Sequence, residues 1–273
     1  MQSQTHDVLF GLETATKVFV EWDDGQPDRE WACLRLLDEF APGLAPHPIS
    51  RGERSGRPFV TMQRLTGRPL GDGPLTARQS DALAESLTRM FTVPVEAAAA
   101  RGLPERRRGP SQLAETLRRS MGPRPNLDDC IDPLVVQLAL DAGAAQLAME
   151  APLPELTVVG IADLNPANVL WDGRVCRFVD FEDGGLSDPA FEVADYLEHL
   201  ANRQARAYDA QALIAAMNMP ATIEQRIDTY RPLFALFWLL LLLPGNRAFD
   251  RNPPGTTEAQ ARHLLEIQRT NRH

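Results

Sequence analysis

Along the first 65 residues apolar and polar positions alternate mostly with the two-residue period of strands. Residues 7–13 (DVLFGLE) and 15–22 (ATKVFVEW) are rich in β-branched and aromatic side chains and stop at Asp23-Asp24-Gly25, which predicts two strands with Lys17 on the second. Behind Pro27 the period changes. Trp31, Leu34, Leu37 and Phe40 recur every three residues, which predicts an amphipathic helix over 28–40 with Glu30 in its first turn. Two extended stretches, around 45–53 and 58–65, end at Thr66-Gly67-Arg68-Pro69, where both glycine and proline stop regular structure. From Thr76 onward the period is helical, and Thr76-x-x-Gln79, Thr222-x-x-Gln225 and Thr257-x-x-Gln260 each have the form of a capping box opening a helix. Residues 157–181 are the exception, with strand-like pieces (VVG, NVLW, RVCRFVDF) separated by Asn-Pro and Asp-Gly turns. The pattern is that of an α+β chain, β-rich over 1–66 and helical over 67–273.

The most apolar run, 233–243, lies between Pro232 and Pro244 and falls short of the ~20 residues a membrane-spanning helix needs, so a buried core helix is expected. The N-terminus has neither a basic region nor an apolar core of signal-peptide length. With 28 Lys+Arg against 37 Asp+Glu the formal charge is −9, a balance that disfavours a nucleic-acid partner. Three widely separated cysteines suggest neither a disulfide framework nor a thiolate metal site, and imply the reducing cytoplasm. The five histidines show no metal-ligand spacing. Oligomeric state leaves no signal.

One count singles out a residue. Of the 28 basic side chains, 27 are Arg and one, Lys17, is Lys. A chain that uses Arg wherever either cation serves retains lysine where a compact ammonium is required, for example between phosphates.

The stretch 161–200, IADLNPANVLWDGRVCRFVDFEDGGLSDPAFEVADYLEHL, carries the chemistry. Phosphoryl transfer needs a carboxylate to orient the attacking hydroxyl, together with a second carboxylate and an amide oxygen to hold magnesium against the triphosphate. Asp163-x-x-x-x-Asn168 has the catalytic-loop spacing, and Asp180-Phe181-Glu182 stands where the metal-binding Asp motif falls. Asp163, Leu164, Pro166, Asn168, Asp180, Phe181, Glu182, Asp188 and Pro189 keep the order and spacing of a pattern that resembles the aminoglycoside phosphotransferase family of protein-kinase-like small-molecule kinases. That pattern runs His-Gly-Asp-Leu-His-Pro-Gly-Asn, Val-Ile-Asp-Phe-Glu and Gly-Asp-Pro.

The resemblance implies a two-lobe protein-kinase-like fold and transfer of the ATP γ-phosphoryl group to a hydroxyl of a small-molecule acceptor. Asp163 would be the catalytic base, Asn168 and Asp180 the Mg2+ ligands, and Asp188 a structural cap. Lys17 would hold the α/β-phosphates and pair with Glu30. The hinge would be FVTMQRLTG, 59–67, with Met62 lining the adenine pocket and backbone groups of Gln63 and Leu65 facing the base edge. Two departures stand out: Ile161-Ala162 replaces His-Gly, and only 16 residues precede Lys17. A first strand and glycine-rich loop are therefore expected to be missing, through a downstream start or a true truncation, with Gln2–Thr5 read as the end of that loop. The alternative these departures suggest is a catalytically impaired nucleotide-binding or interaction protein; a protein kinase fits less well, for want of an Ala-Pro-Glu segment.

Elsewhere the expectations are plain. Glu192, Asp195 and Glu198, spaced by three, suggest the solvated face of a helix, with a cation-attracting substrate wall as the other reading. Arg106-Arg107-Arg108 in a Pro/Gly-rich connection reads as a solvated loop, His199 as a polar helix residue, and Cys33 as core.

Overall fold

The computed structural model describes residues 6–23, 25–71, 73–122, 125–149, 153–206 and 209–270. Gln2–Thr5 lie outside them. The first part builds β1 (Asp7–Phe10), β2 (Thr14–Val18), α1 (Gln26–Phe40), β3 (Pro48–Arg54) and β4 (Arg57–Gln63), whose strands form one antiparallel sheet of order β1-β2-β4-β3. The predicted helix begins two residues early, with Pro27 inside its first turn where a missing N–H costs nothing. Its buried side includes Cys33, Leu34 and Leu37, and it packs on β3 and β4.

The chain continues through β5 (Arg68–Pro69), α2 (Ala77–Phe91), α3 (Val95–Ala100), α4 (Leu113–Ser120) and α5 (Pro133–Leu147). Then come β6 (Val158–Gly160), a 3-10 turn (Pro166–Asn168), β7 (Val169–Trp171), β8 (Cys176–Phe178) and β9 (Gly185–Ser187). The last part is α6 (Pro189–Glu198), α7 (Leu200–Ala205), α8 (Ala210–Met217), α9 (Ala221–Leu241), α10 (Arg247–Arg251) and α11 (Thr256–Thr270). The short strands pair as β5-β7-β8 and β6-β9, so the strand-like pieces of 157–181 are the edges of two small sheets carrying the turns between them. Around them α6 packs on α9, and α11 on both α5 and α9. This is a protein-kinase-like α+β arrangement, with antiparallel strands first and helices after.

Several sequence expectations change. Thr76 and Gln79 do form a reciprocal capping box. Thr222 instead lies one residue inside α9, which starts at Ala221 after Pro220, and Thr257 turns its hydroxyl to the Leu242 carbonyl (2.7 Å) while Gln260 reaches the Ala235 carbonyl (2.8 Å). Pro232 does not bound the apolar run. α9 passes through it, because burial of Leu233, Phe234, Leu236 and Leu239 against neighbouring helices outweighs the lost backbone bond. Among the described residues no helix is long and apolar enough to cross a membrane.

Candidate functional site

The antiparallel pairing of β2 with β4 sets Lys17 opposite Val60 in the sheet, where its side chain is almost wholly buried. Its ammonium meets three carboxylates: Glu30 from α1 at 3.2 Å, Glu182 at 2.6 Å, and Asp180 in direct contact. Burial opposes the lysine charge, but the carboxylates override it and hold its pKa above the ordinary value. The same burial pushes Glu30 up, to about 7, with Lys17 pulling it down and Asp180 and Glu182 pushing it further up. Asp180 is also raised, by burial first, against Lys17. Three acids around one ammonium leave an excess of negative charge.

On the other side, Asp163 follows β6 and stands before the 3-10 turn. Asn168, in that turn, donates through Nδ2 to the Asp163 carbonyl (2.9 Å) and carboxylate (3.4 Å), and Asn165 Nδ2 lies 3.3 Å from both carboxylate oxygens. His199 completes the setting. Its Nδ1 accepts from the Ala201 N–H (3.3 Å), which leaves the proton on Nε2, 3.1 Å from Asp163 Oδ1. Burial raises the Asp163 pKa, but the His199 hydrogen bond, with Asn165 and Arg108, outweighs it and keeps the carboxyl below its usual value. The Asp163 side chain is 42% accessible, so this ionised group still faces open space.

Backbone strain marks both acids. Asp180 has φ 73°, and Ala162, immediately before Asp163, has φ 70°, a region that costs a residue with a Cβ about 1–2 kcal/mol. Ala162 sits where the resembling pattern has glycine. Ile161, where that pattern has histidine, is fully buried in the core, so the position packs and makes no polar contact.

The hinge residues end β4. Met62 is buried, the Gln63 amide donates to the His47 carbonyl (2.8 Å), and the Leu65 amide has no hydrogen-bond partner among the described residues. Asp188 caps α6, accepting from the Ala190 N–H (2.9 Å), and also takes the Glu155 N–H (2.9 Å), the Tyr230 hydroxyl (3.3 Å) and the Arg226 guanidinium. It ties the loop to α9.

Arg106, Glu192, Asp195 and Glu198, whose sequence setting suggests solvent, are buried here. Leu103 to Arg108 lie along β9, with the Arg106 N–H on the Leu186 carbonyl (3.0 Å) and the Arg107 N–H on the Asp183 carbonyl (3.0 Å). Gly185 permits this approach, since a Cβ there would stand 2.4 Å from the Pro104 carbonyl oxygen. Arg106 is consequently buried, bonded to Glu192 (2.7 Å), Asp195 (2.6 Å) and the Ala162 carbonyl (3.0 Å). Glu192 also takes the hydroxyls of Ser187 and Tyr196, both at 2.6 Å, and Glu198 is paired with Arg231 (2.8 Å) and His263 (2.6 Å). The expected solvated helix face is thus a buried ionic network, because its acids have basic partners from α9, α11 and the arginine run. Arg107 and Arg108 both reach Asp183. His6, outside any expectation, lies 2.7 Å from Glu182 and is buried against Phe19.

Among the described residues no group of three or more His, Cys, Asp or Glu side chains is placed to hold a metal. A magnesium site here would draw on Asp180 and on the Asn168 amide oxygen, which receives no hydrogen bond among the described residues because Asn168 is oriented by its Nδ2 donations. Hard oxygen donors and an excess of carboxylate charge suit that ion, which seldom takes more than two protein carboxylates.

The fold is shared with solved small-molecule kinases. A choline/ethanolamine kinase family protein from Mesorhizobium loti superposes with a TM-score of 0.64 at 15% identity, covering 98% of this chain and 86% of its own. Spectinomycin phosphotransferase, solved with ADP and spectinomycin, gives 0.61 at 12% over 97% of this chain and 91% of its own. An aminoglycoside phosphotransferase from Alicyclobacillus acidocaldarius gives 0.59 at 13% over 99% and 89%. No curated protein matches the chain in sequence. The model of the phosphotransferase enzyme family matches residues 18–225, and the chain is a member of that family.

Proposed function

We propose that the chain transfers the γ-phosphoryl group of ATP to a hydroxyl of a small molecule, with residues 1–66 and 67–273 as the two lobes and nucleotide between them. One observation carries the reading. Asp163 is held ionised by His199 and by the two asparagines of its own loop, and it has open space beside it. The Lys17–Asp180–Glu30 cluster lies near enough for Asp163 to raise the Asp180 pKa.

In this reading the acceptor hydroxyl binds at Asp163, which aligns the oxygen with the γ-phosphorus and takes the hydroxyl proton as the new O–P bond forms. The bond from the γ-phosphorus to the bridging oxygen breaks, and ADP leaves. Lys17, kept in place by Glu30, meets the α/β-phosphates. Met62 lines the adenine pocket, and the Gln63 carbonyl with the unpaired Leu65 amide meets the base edge. Magnesium, held by Asn168 and Asp180, would supply charge neutralisation on the phosphates. Such transfer depends mostly on positioning and electrostatics, which a rigid base and a pre-paired lysine provide. Neighbours solved with ADP and with AMP-PNP support the nucleotide. The partner in this reading is a small-molecule acceptor, and the setting the cytoplasm.

The test is Asp163→Ala, assayed for acceptor-dependent ADP release and for magnesium-ATP binding. Turnover should fall by about 10²–10⁴, the usual contribution of a general base, while nucleotide affinity stays within about threefold. Unchanged turnover in the variant would remove Asp163 from the chemistry.

A further inference from the structure

The space beside Asp163 has a chemistry of its own. It is a cavity of about 210 Å³, with Asp163 and His199 on its wall together with Phe237, Trp238 and Leu241 from α9. Engineered cavities of about 150 Å³ hold a benzene molecule, so the volume suits one ring with a substituent. Binding a polyamine, by contrast, requires carboxylates free to meet several ammonium groups.

Two carboxylates line the cavity, Asp163 and Asp195. Asp195 is taken by Arg106 at 2.6 Å, and Asp163 by His199 and the asparagines. The acids behind them, Glu192 and Glu198, are closed into internal pairs, so the acidic stretch offers no cation-attracting wall. Asp163 faces the cavity ionised, and Arg108 is the lining cation with guanidinium donors to spare. Arg108 lines it with its guanidinium 5.9 Å from the Phe237 ring and its side chain 48% accessible; Nη2 donates to Asp183 (2.9 Å), and no other side-chain hydrogen bond of Arg108 occurs among the described residues. Of five guanidinium donors, most are left for a ligand.

We infer that the acceptor is a hydroxy compound with a single ring-sized apolar body and an anionic edge, such as a hydroxy acid, and not a polyamine. The ring lies against Phe237 and Trp238, the anionic group meets Arg108, and the hydroxyl reaches Asp163. This rests on Asp163 being the catalytic base, and names the class of molecule it serves.

The test is a set of three alcohols sharing one ring: 4-(hydroxymethyl)benzoate, 4-methylbenzyl alcohol and 4-(aminomethyl)benzyl alcohol. Each is titrated calorimetrically into the full chain with and without magnesium-ADP, beside spectinomycin and hygromycin B. The carboxylate should bind about tenfold tighter than the ammonium compound, as a charge-assisted contact to Arg108 would give, and neither antibiotic should bind. Arg108→Gln, checked by its melting temperature, should bring the carboxylate and the neutral alcohol within about twofold of each other. Equal or tighter binding of the ammonium compound, binding of either antibiotic, a carboxylate preference that survives Arg108→Gln, or no binding by any of the three alcohols overturns the inference. Failure of magnesium-ADP to bind overturns the phosphotransferase reading instead, while the order of the ligands still tests the cavity.

Discussion

Replacing Arg106 by leucine separates the buried network from a solvated loop, and its cost can be worked from the contacts. The guanidinium neutralises Glu192 and Asp195 and donates to the carbonyl of Ala162, beside Asp163. Without it Glu192 keeps the hydroxyls of Ser187 and Tyr196, but Asp195 loses its one side-chain donor among the described residues. Burial already holds Asp195 above the ordinary carboxylate value against the pull of Arg106, and removing Arg106 releases it upward. A stranded buried carboxylate protonates instead of staying charged. At pH 7 that costs about 1.4 kcal/mol for each of roughly three pH units above the reference value, about 4 kcal/mol, the ceiling of the deficit because part is already borne with Arg106 in place. Halving a buried pair typically costs a similar amount, about 3–5 kcal/mol. The sign of the pH dependence follows. In the variant the folded-state pKa of Asp195 lies above its unfolded value, so the protonated form favours folding, and stability is lost as pH rises from about 4 towards the folded pKa. Urea unfolding at pH 5, 6 and 7 should show a deficit that grows by about 1 kcal/mol per unit. A surface arginine would change stability by less than about 0.5 kcal/mol. A deficit that small, or one independent of pH, would refute the buried network.

His199→Gln should move the acid limb of the turnover profile to higher pH, because the imidazole is the first of the groups holding the Asp163 pKa down against burial; an unmoved limb in a kcat profile would deny the pairing. Lys17→Arg keeps the charge but brings a wider planar group into a site bounded by Glu30, Asp180 and Glu182, and should weaken magnesium-ATP binding at least tenfold by calorimetry. Ala162→Gly relieves a φ of 70° and should raise stability by about 1 kcal/mol, seen as a melting temperature higher by roughly 2 °C.

What was legible in the sequence is local. Lys17 on its strand, Glu30 one helix turn in, and Asp163, Asn168 and Asp180 around a hairpin are fixed by short-range spacing; the structure gathers Glu30 and Asp180 on the Lys17 ammonium and ties Asn168 to Asp163. Residues whose meaning depends on distant partners were not legible. The period of three in Glu192, Asp195 and Glu198 is the same for a wet helix face as for one buried under counter-ions, and only the fold brings Arg106, Arg231 and His263 to it. Arg106 lies in a loop whose composition marks solvent, yet pairing along β9 draws it inside. His199 reaches Asp163 because α6 and α7 meet at that residue, a junction no local motif announces. Pro232 looked like a stop, and packing carried α9 through it.

The proposed nucleotide site at Lys17 and Asp180 is tested most directly by calorimetric titration of the chain with ATP, run with magnesium, without it, and with Asp180→Ala. Magnesium-dependent binding in the micromolar to millimolar range, lost or weakened at least tenfold in Asp180→Ala, is the result predicted. Absence of binding, or binding indifferent to both magnesium and Asp180, would contradict it.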